Sequence, residues 1–234
     1  MNGPKILYVI PMLGGIPITE TVVNAWIAMA VIFLAAKWLT HNMQTVPSRK
    51  QAAAEMVVST LYNLVGETMG KDKLAFAPYI GTLFFFSLCC SLMSMFGFRP
   101  PTGDLNTTLC WALITFGMIQ YFGLKSKGFK GWLHKFIEPM PLIFPLNFIG
   151  EFSTPVSMMF RHFGNIAAGI AITSLLYGGL ASLSGALFGW FTDIPILQLG
   201  LPAILSVYFD IFTSFLQAFI FSMLTMVFVS GAID

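Results

Sequence analysis

Charge is what this sequence has least of. Only 9% of its 234 residues are Asp, Glu, Lys or Arg, while 56% are hydrophobic, and the mean hydropathy is +0.80. So few charges cannot cover the water-facing surface of a soluble domain of this length, and a bilayer is the natural solvent. The net charge of +2 is small and scattered, with no basic stripe for phosphates, which excludes a nucleic-acid partner. Cysteine is scarce too. Cys89, Cys90 and Cys110 all lie in apolar runs, without the paired spacing of a zinc site or the even count of a disulfide framework, and they read as buried apolar thiols. His41, His134 and His162 form no His-Glu-x-x-His pair, no Ser sits in a Gly-x-Ser-x-Gly turn, and no Gly-rich loop ends in Lys-Ser or Lys-Thr. Intramembrane hydrolysis and nucleotide binding by this chain are therefore unsupported, and neither a metal nor a cofactor is called for. Residues 1–17 lack a small-residue cleavage site after a compact apolar core, which argues against a cleaved signal peptide and leaves the first span to direct insertion. No internal repeat or matched pair of broken helices points to an inverted-repeat carrier.

What is present is a set of long apolar runs. A helix needs about 20 mostly apolar residues to cross the hydrocarbon core, and five stretches qualify: 19–39, 76–98, 105–124, 145–183 and 202–231. The last two exceed the minimum and must tilt, kink or protrude. Between the first two, residues 48–69 place Ala52, Ala53, Met56, Val57, Leu61, Leu64 and Val65 at helical spacing against Arg49, Lys50, Glu55, Asn63 and Glu67. That amphipathic pattern predicts a helix lying in the membrane interface, with Ser48 as its cap, or else a soluble helical hairpin. The chain is thus expected to be a single all-α membrane domain of five spans and one interfacial helix. Lys37, Arg49, Lys50, Lys71, Lys73, Lys125, Lys127, Lys130 and Lys135 fall on one side of that arrangement, and only Lys5 and Arg99 on the other. By the positive-inside rule the N-terminus lies outside and the C-terminus in the cytoplasm.

The twelfth basic residue, Arg161, lies inside the fourth span, far from either end. An Arg at mid-bilayer costs about 2.5 kcal/mol or more and does not shed its proton, so something must compensate it. Ser157 and Asn165 stand four residues away on either side and Gly164 three away. With Ala168 and Gly169 they form a small, polar lane on which another helix can approach. A static ion pair with Asp210 or Glu151 is the plainer reading. In the fifth span Asp210, Ser214 and Gln217 share one face, while Phe209, Phe212, Phe215 and Phe219 occupy much of the rest. A carboxylate isolated in lipid protonates, so Asp210 is neutral, paired or hydrated, and each state suits proton handling. Gln217 also fits a plain interhelical hydrogen bond, Glu151 a headgroup position, and His162 a neutral packed imidazole. A stand-alone secondary transporter or channel remains the competing class, but it needs a complete binding site within one chain.

The stretch Ser157-Met-Met-Phe-Arg161-His-Phe-Gly164-Asn165-Ile-Ala-Ala-Gly169 resembles the signature helix of the a subunit of F-type ATP synthases, in which a single Arg is followed by Phe-Gly-Asn. Four further segments resemble that family in order. They are Phe76-Ala-Pro78 with Thr82-Leu-Phe-Phe, Pro100-Pro-Thr-Gly-Asp104-Leu-Asn106-Thr-Thr-Leu109, Pro145-Leu-Asn-Phe-Ile-Gly-Glu151-Phe-Ser153, and Gln217-Ala-Phe-Ile-Phe221. The resemblance implies a non-catalytic stator subunit of a rotary ATP synthase in a bacterial plasma membrane. Its partners would be a c-ring of small hairpin subunits, b-type subunits of the peripheral stalk, and the rest of the complex. Two half-channels would pass protons, or sodium, to and from the ring carboxylates. Arg161 would hold the passing carboxylate ionised and block direct leakage, with Asn165 and Gln217 lining the path beside it and Glu151, Ser157, His162, Asp210 and Ser214 as further candidates. The sequence departs from the family at His162, where Leu is usual, and at Ile170, where many members carry Glu or His. Asp210, where some members have His and others Glu, is expected to supply the ionisable group that Ile170 lacks, with His162 assisting.

Overall fold

The computed structural model describes residues 4–11, 15–137, 140–188 and 207–234. A two-stranded antiparallel hairpin, β1 (Ile6–Ile10) and β2 (Ile16–Thr19), runs directly into α1 (Glu20–Leu39), and the Glu20 amide donates to the Lys5 carbonyl at 2.9 Å. Then follow α2 (Arg49–Met69), α3 (Ala77–Leu92), α4 (Leu105–Ile137), α5 (Phe144–Phe188) and, after a π turn at Val207–Phe212, α6 (Thr213–Ile233). Five helical stretches are long and apolar enough to cross a membrane, and α2 is the additional helix. The all-α expectation holds. Residues 202–206 of the fifth expected span lie outside the described residues.

α3 and α6 form the centre. Val65 and Met69 of α2, Ala77 and Ile80 of α3, Ile119 of α4, and Met226, Val229 and Ala232 of α6 make one buried cluster. Leu83, Trp111, Ala112, Met158, Met159 and Phe221 make a second, which fastens α5 to the bundle. α1 is held at its beginning, where the Thr21 hydroxyl donates to Asp104 Oδ2 at 3.1 Å and the Asn24 amide to the Arg99 carbonyl at 2.9 Å. Those contacts, with the hairpin, define one end of the bundle. At the other end, Lys73 Nζ donates to the Ser230 hydroxyl at 3.0 Å and pairs with Asp234, whose carboxyl it holds below the ordinary carboxylate value. Ser126 donates to the Ile233 carbonyl there too, at 2.6 Å. That is the lysine-rich end, with Lys73 at it, whereas Lys5 and Arg99 lie at the hairpin end.

Ser48 caps α2 as expected, its hydroxyl accepting from the Gln51 amide at 3.4 Å. The third span, α4, differs from expectation: it continues past Leu124 to Ile137, with a break at Gly128, whose φ of +68° favours glycine. Hydropathy falls at Lys125, but Trp132 and Phe136 still pack an apolar stripe, stacking edge to face at 5.0 Å. The expectation of three buried thiols holds for Cys90, holds only partly for the half-buried Cys89, and fails for Cys110. The latter is exposed on the outward face of α4 beside Leu109, Leu113 and Ile114, where a thiol facing lipid needs no partner.

Candidate functional site

α5 has 45 residues, about 68 Å of helix at 1.5 Å per residue, and it buries only a narrow stripe. Pro155, Met158, Met159, His162 and Ile166 recur at helical spacing and turn inward. The opposite face carries Ser157, Arg161, Asn165 and Ala168, all exposed, and beside Gly164 there is open space. The lane read from the sequence is therefore a bare surface of this chain, with a cation in its middle. Pro155 has no N–H, so the Glu151 carbonyl receives no helix bond from that position, two residues before Ser157.

Among the described residues Arg161 has neither an ion pair nor a hydrogen bond. Both carboxylates offered as static partners are engaged elsewhere. Glu151 pairs with Lys135 at 2.8 Å and accepts from Gln120 Nε2 at 2.9 Å, and Gln120 Oε1 in turn accepts from the Trp132 indole at 2.9 Å. Asp210 accepts from the Ser94 hydroxyl at 3.0 Å near the hairpin end. The two acids thus sit toward opposite ends, with Arg161 between them along the chain's helices.

A groove of about 300 Å³ between α5 and α6 is lined by Gly150, Ser153, Thr154, Ser157, Met158, Arg161, Leu224 and Phe228. A second, of about 180 Å³, shares Thr154 and Phe228 with it and includes Lys135 and Glu151. Sharing those walls, the two grooves flank the stretch of α5 from Glu151 at the lysine-rich end to Arg161 and give it a concave lane. Thr154, which completes the spacing Glu151, Thr154, Ser157, Arg161, is a lining residue that sequence reasoning passed over. Its signal was the three- and four-residue interval. Gln120, Trp132 and Lys135 were also passed over, because no local pattern ties α4 to Glu151.

On α6, Ser214 and Gln217 are buried and Asp210 is half-buried, while Phe212, Phe215 and Phe219 are exposed. The polar seam thus faces the bundle and the rings face outward. His162 does not share Arg161's face: the two are about 100° apart on the helix, and the imidazole is only 1% exposed, edge-on to Trp111 and Phe221.

A family profile described as ATP synthase A chain matches residues 22–230. The chain belongs to the ATP synthase subunit a family. Its relatives include the protein described as "ATP synthase subunit a, sodium ion specific" of Propionigenium modestum, 35% identical over 265 aligned positions that cover all of this chain and 86% of the relative. ATP synthase subunit a of Moorella thermoacetica is 32% identical, covering 94% of this chain and 93% of the relative. That of Legionella pneumophila (strain Philadelphia 1) is 31% identical over 95% and 90% respectively. As a subunit a, the chain is an integral membrane protein and the ion-translocating stator subunit of an ATP synthase, with the rest of that complex as its partner. The five long apolar helices agree with that role.

Proposed function

We propose that the bare α5 face around Arg161 is where this stator meets a ring of c subunits, and that ions reach the ring carboxylates through two half-channels. The observation that carries this reading is a guanidinium with no partner among the described residues, on a face of small residues where Ser157, Asn165 and Ala168 are exposed and Gly164 leaves open space. A permanent cation in the membrane needs an anionic counterpart. A passing ring carboxylate supplies one without a fixed carboxylate on this chain. The lane from Glu151 to Arg161 supports one half-channel, open at the lysine-rich end. Asp210, held by Ser94 near the hairpin end and in line with Ser214 and Gln217, supports the other. α5 is more than twice as long as the hydrocarbon core is thick, about 30 Å, so it crosses obliquely and offers a long face to a curved rotor.

In this reading Arg161 keeps the arriving carboxylate ionised and separates the two lanes, a task for a cation that cannot deprotonate. Asn165 and Gln217 flank the exchange position. The chain carries no ATP chemistry itself, and b-type stalk subunits hold it still while the ring turns in a bacterial plasma membrane. The N-terminus lies outside, the lysine-rich end faces the cytoplasm, and α2 lies in the interface. Each charge crossing the full potential yields about 2.3 kcal/mol per 100 mV, so several ions pass per ATP. The ion is a proton or, as in the Propionigenium modestum relative's description, sodium. A dependence of ATP hydrolysis on sodium in the purified complex marks the latter.

The ring-facing assignment is tested by cross-linking. Ala168→Cys, one turn beyond Asn165, is expected to form a disulfide with a cysteine placed on the outer ring helix in intact membranes. A cysteine at Leu113, on the outward face of α4, is expected not to. The reverse pattern would remove α5 from the ring interface.

A further inference from the structure

The apolar part of α4, from Leu105 to Leu124, is about 30 Å of helix, the thickness of the hydrocarbon core, so Lys125 emerges at the level of the headgroups. Three residues later the backbone turns at Gly128, with φ +68° and ψ 170°. Beyond that turn the chain doubles back. Residues twelve apart on a straight helix are separated by about 18 Å, yet the Trp132 indole donates to Gln120 Oε1 at 2.9 Å. Phe136 is buried against Phe144 and Phe148 of α5, and its carbonyl accepts from Asn147 Nδ2 at 3.1 Å. Residues 129–137 are thus pinned at the end of the span, at headgroup depth.

The face this segment leaves uncovered is mixed. Phe129 and Leu133, four residues apart, are 67% and 40% exposed. Lys130 is exposed beside them, and Lys125 and Lys127 are exposed just before the turn. Lys135 is committed to Glu151 at 2.8 Å, but Lys125, Lys127 and Lys130 have neither an ion pair nor a hydrogen bond among the described residues. α4 contains no acid, and Glu138, which follows it in sequence, lies outside the described residues. Asp234, which also senses Lys127, is already paired with Lys73. Lysines beside exposed aromatic and aliphatic side chains at this depth match an anionic phospholipid: the ammonium groups reach its phosphate while Phe129 and Leu133 enter the acyl boundary. An acidic protein segment matches the charge but not the level in the membrane at which the two apolar side chains sit.

We propose that the fold-back after Gly128 is a docking site for the headgroup of an anionic phospholipid, held by Lys125, Lys127 and Lys130. The site is independent of the half-channels proposed above.

The test uses the assembled complex, otherwise free of reactive cysteines, with a fluorophore on Leu133→Cys. It is reconstituted in phosphatidylcholine vesicles containing a small fraction of either phosphatidylglycerol or phosphatidylcholine that bears a nitroxide on one acyl chain. A lysine close to an anionic surface favours the charged lipid by about fivefold, so labelled phosphatidylglycerol is expected to quench at least about fivefold more effectively than labelled phosphatidylcholine at equal fraction. That preference is expected to shrink at high salt and to vanish when Lys125→Gln, Lys127→Gln and Lys130→Gln are combined. A fluorophore on Leu113→Cys, on the outward face of α4, is expected to be quenched equally by both lipids. Equal quenching at Leu133→Cys, or a preference that survives the glutamine substitutions, overturns the site. Quenching by neither lipid at Leu133→Cys, with Leu113→Cys still responding, shows another subunit covering the segment and overturns it as well. Single glutamine variants, each expected to lower the preference, keep the test decisive if the triple variant fails to assemble.

Discussion

Arg161→Ala is expected to abolish ion-driven ATP synthesis in the assembled complex, while the catalytic head, once detached, still hydrolyses ATP at the normal rate. The size of the effect follows from Coulomb's law. A guanidinium about 4 Å from a carboxylate, at an effective dielectric constant near 20, contributes about 4 kcal/mol. That is about three pKa units, or a ~1000-fold bias toward the ionised form. Without it, a ring carboxylate leaving one lane stays neutral in its apolar setting, releases nothing, and coupling stops. The same change removes the positive barrier between the lanes, so membranes stripped of the catalytic head are expected to leak the coupling ion faster. Arg161→Lys is expected to rescue little, because an ammonium is a point charge that burial can neutralise, whereas the guanidinium keeps both its charge and its fork of donors. The measurement is ATP synthesis by inverted vesicles under an imposed gradient. Retained coupling in Arg161→Ala contradicts the role.

Asp210→Asn is expected to lower ion-driven synthesis by about 100-fold, at the lower end of what a positioned proton-transfer group contributes, and to do so at every pH tested. Asparagine keeps the volume and a hydrogen bond to the Ser94 hydroxyl, which lies 3.0 Å from the carboxylate. Thermal stability and assembly should therefore be unchanged, and the loss reports the missing charge rather than a misfolded entrance. Synthesis at the wild-type rate would show that Asp210 only ties α6 to the end of α3.

The large features were legible because bilayer solvent writes a coarse signal. Twenty apolar residues in a row mean a span, and a lone Arg among them means a partner, so α1, α3, α5 and the unusual position of Arg161 could be read before any coordinates. Ser48 was legible for the same local reason, since a helix start leaves amides that only a nearby side chain can satisfy. The direction of a side chain around its helix was harder. His162 and Arg161 are neighbours in sequence, but one packs inward against Trp111 and the other looks outward, and both faces of α5 are largely apolar in composition. The hydropathic stripe that normally separates core from solvent is weak when the solvent is lipid. The hairpin at β1 and β2 was passed over although Ile-Leu-Tyr-Val-Ile and Ile-Pro-Ile-Thr flank a Gly-Gly pair, because short apolar strands look like the beginning of a span. Ser87 in α3 and Ser94 in the turn just beyond it lay hidden among cysteines and leucines. Only the fold brings Ser87 to His162 and Ser94 to Asp210, 75 and 116 residues away in sequence.

The central claim is that Arg161 serves a carboxylate that belongs to another subunit. A density map of the assembled complex in a lipid disc tests it most directly. The expected map has the Arg161 guanidinium facing the ring, within hydrogen-bond reach or one water of a ring carboxylate, with Ser157, Asn165 and Ala168 along the same contact. A map in which that α5 face meets lipid, or in which Arg161 is clamped to a fixed acid of its own chain, would contradict it.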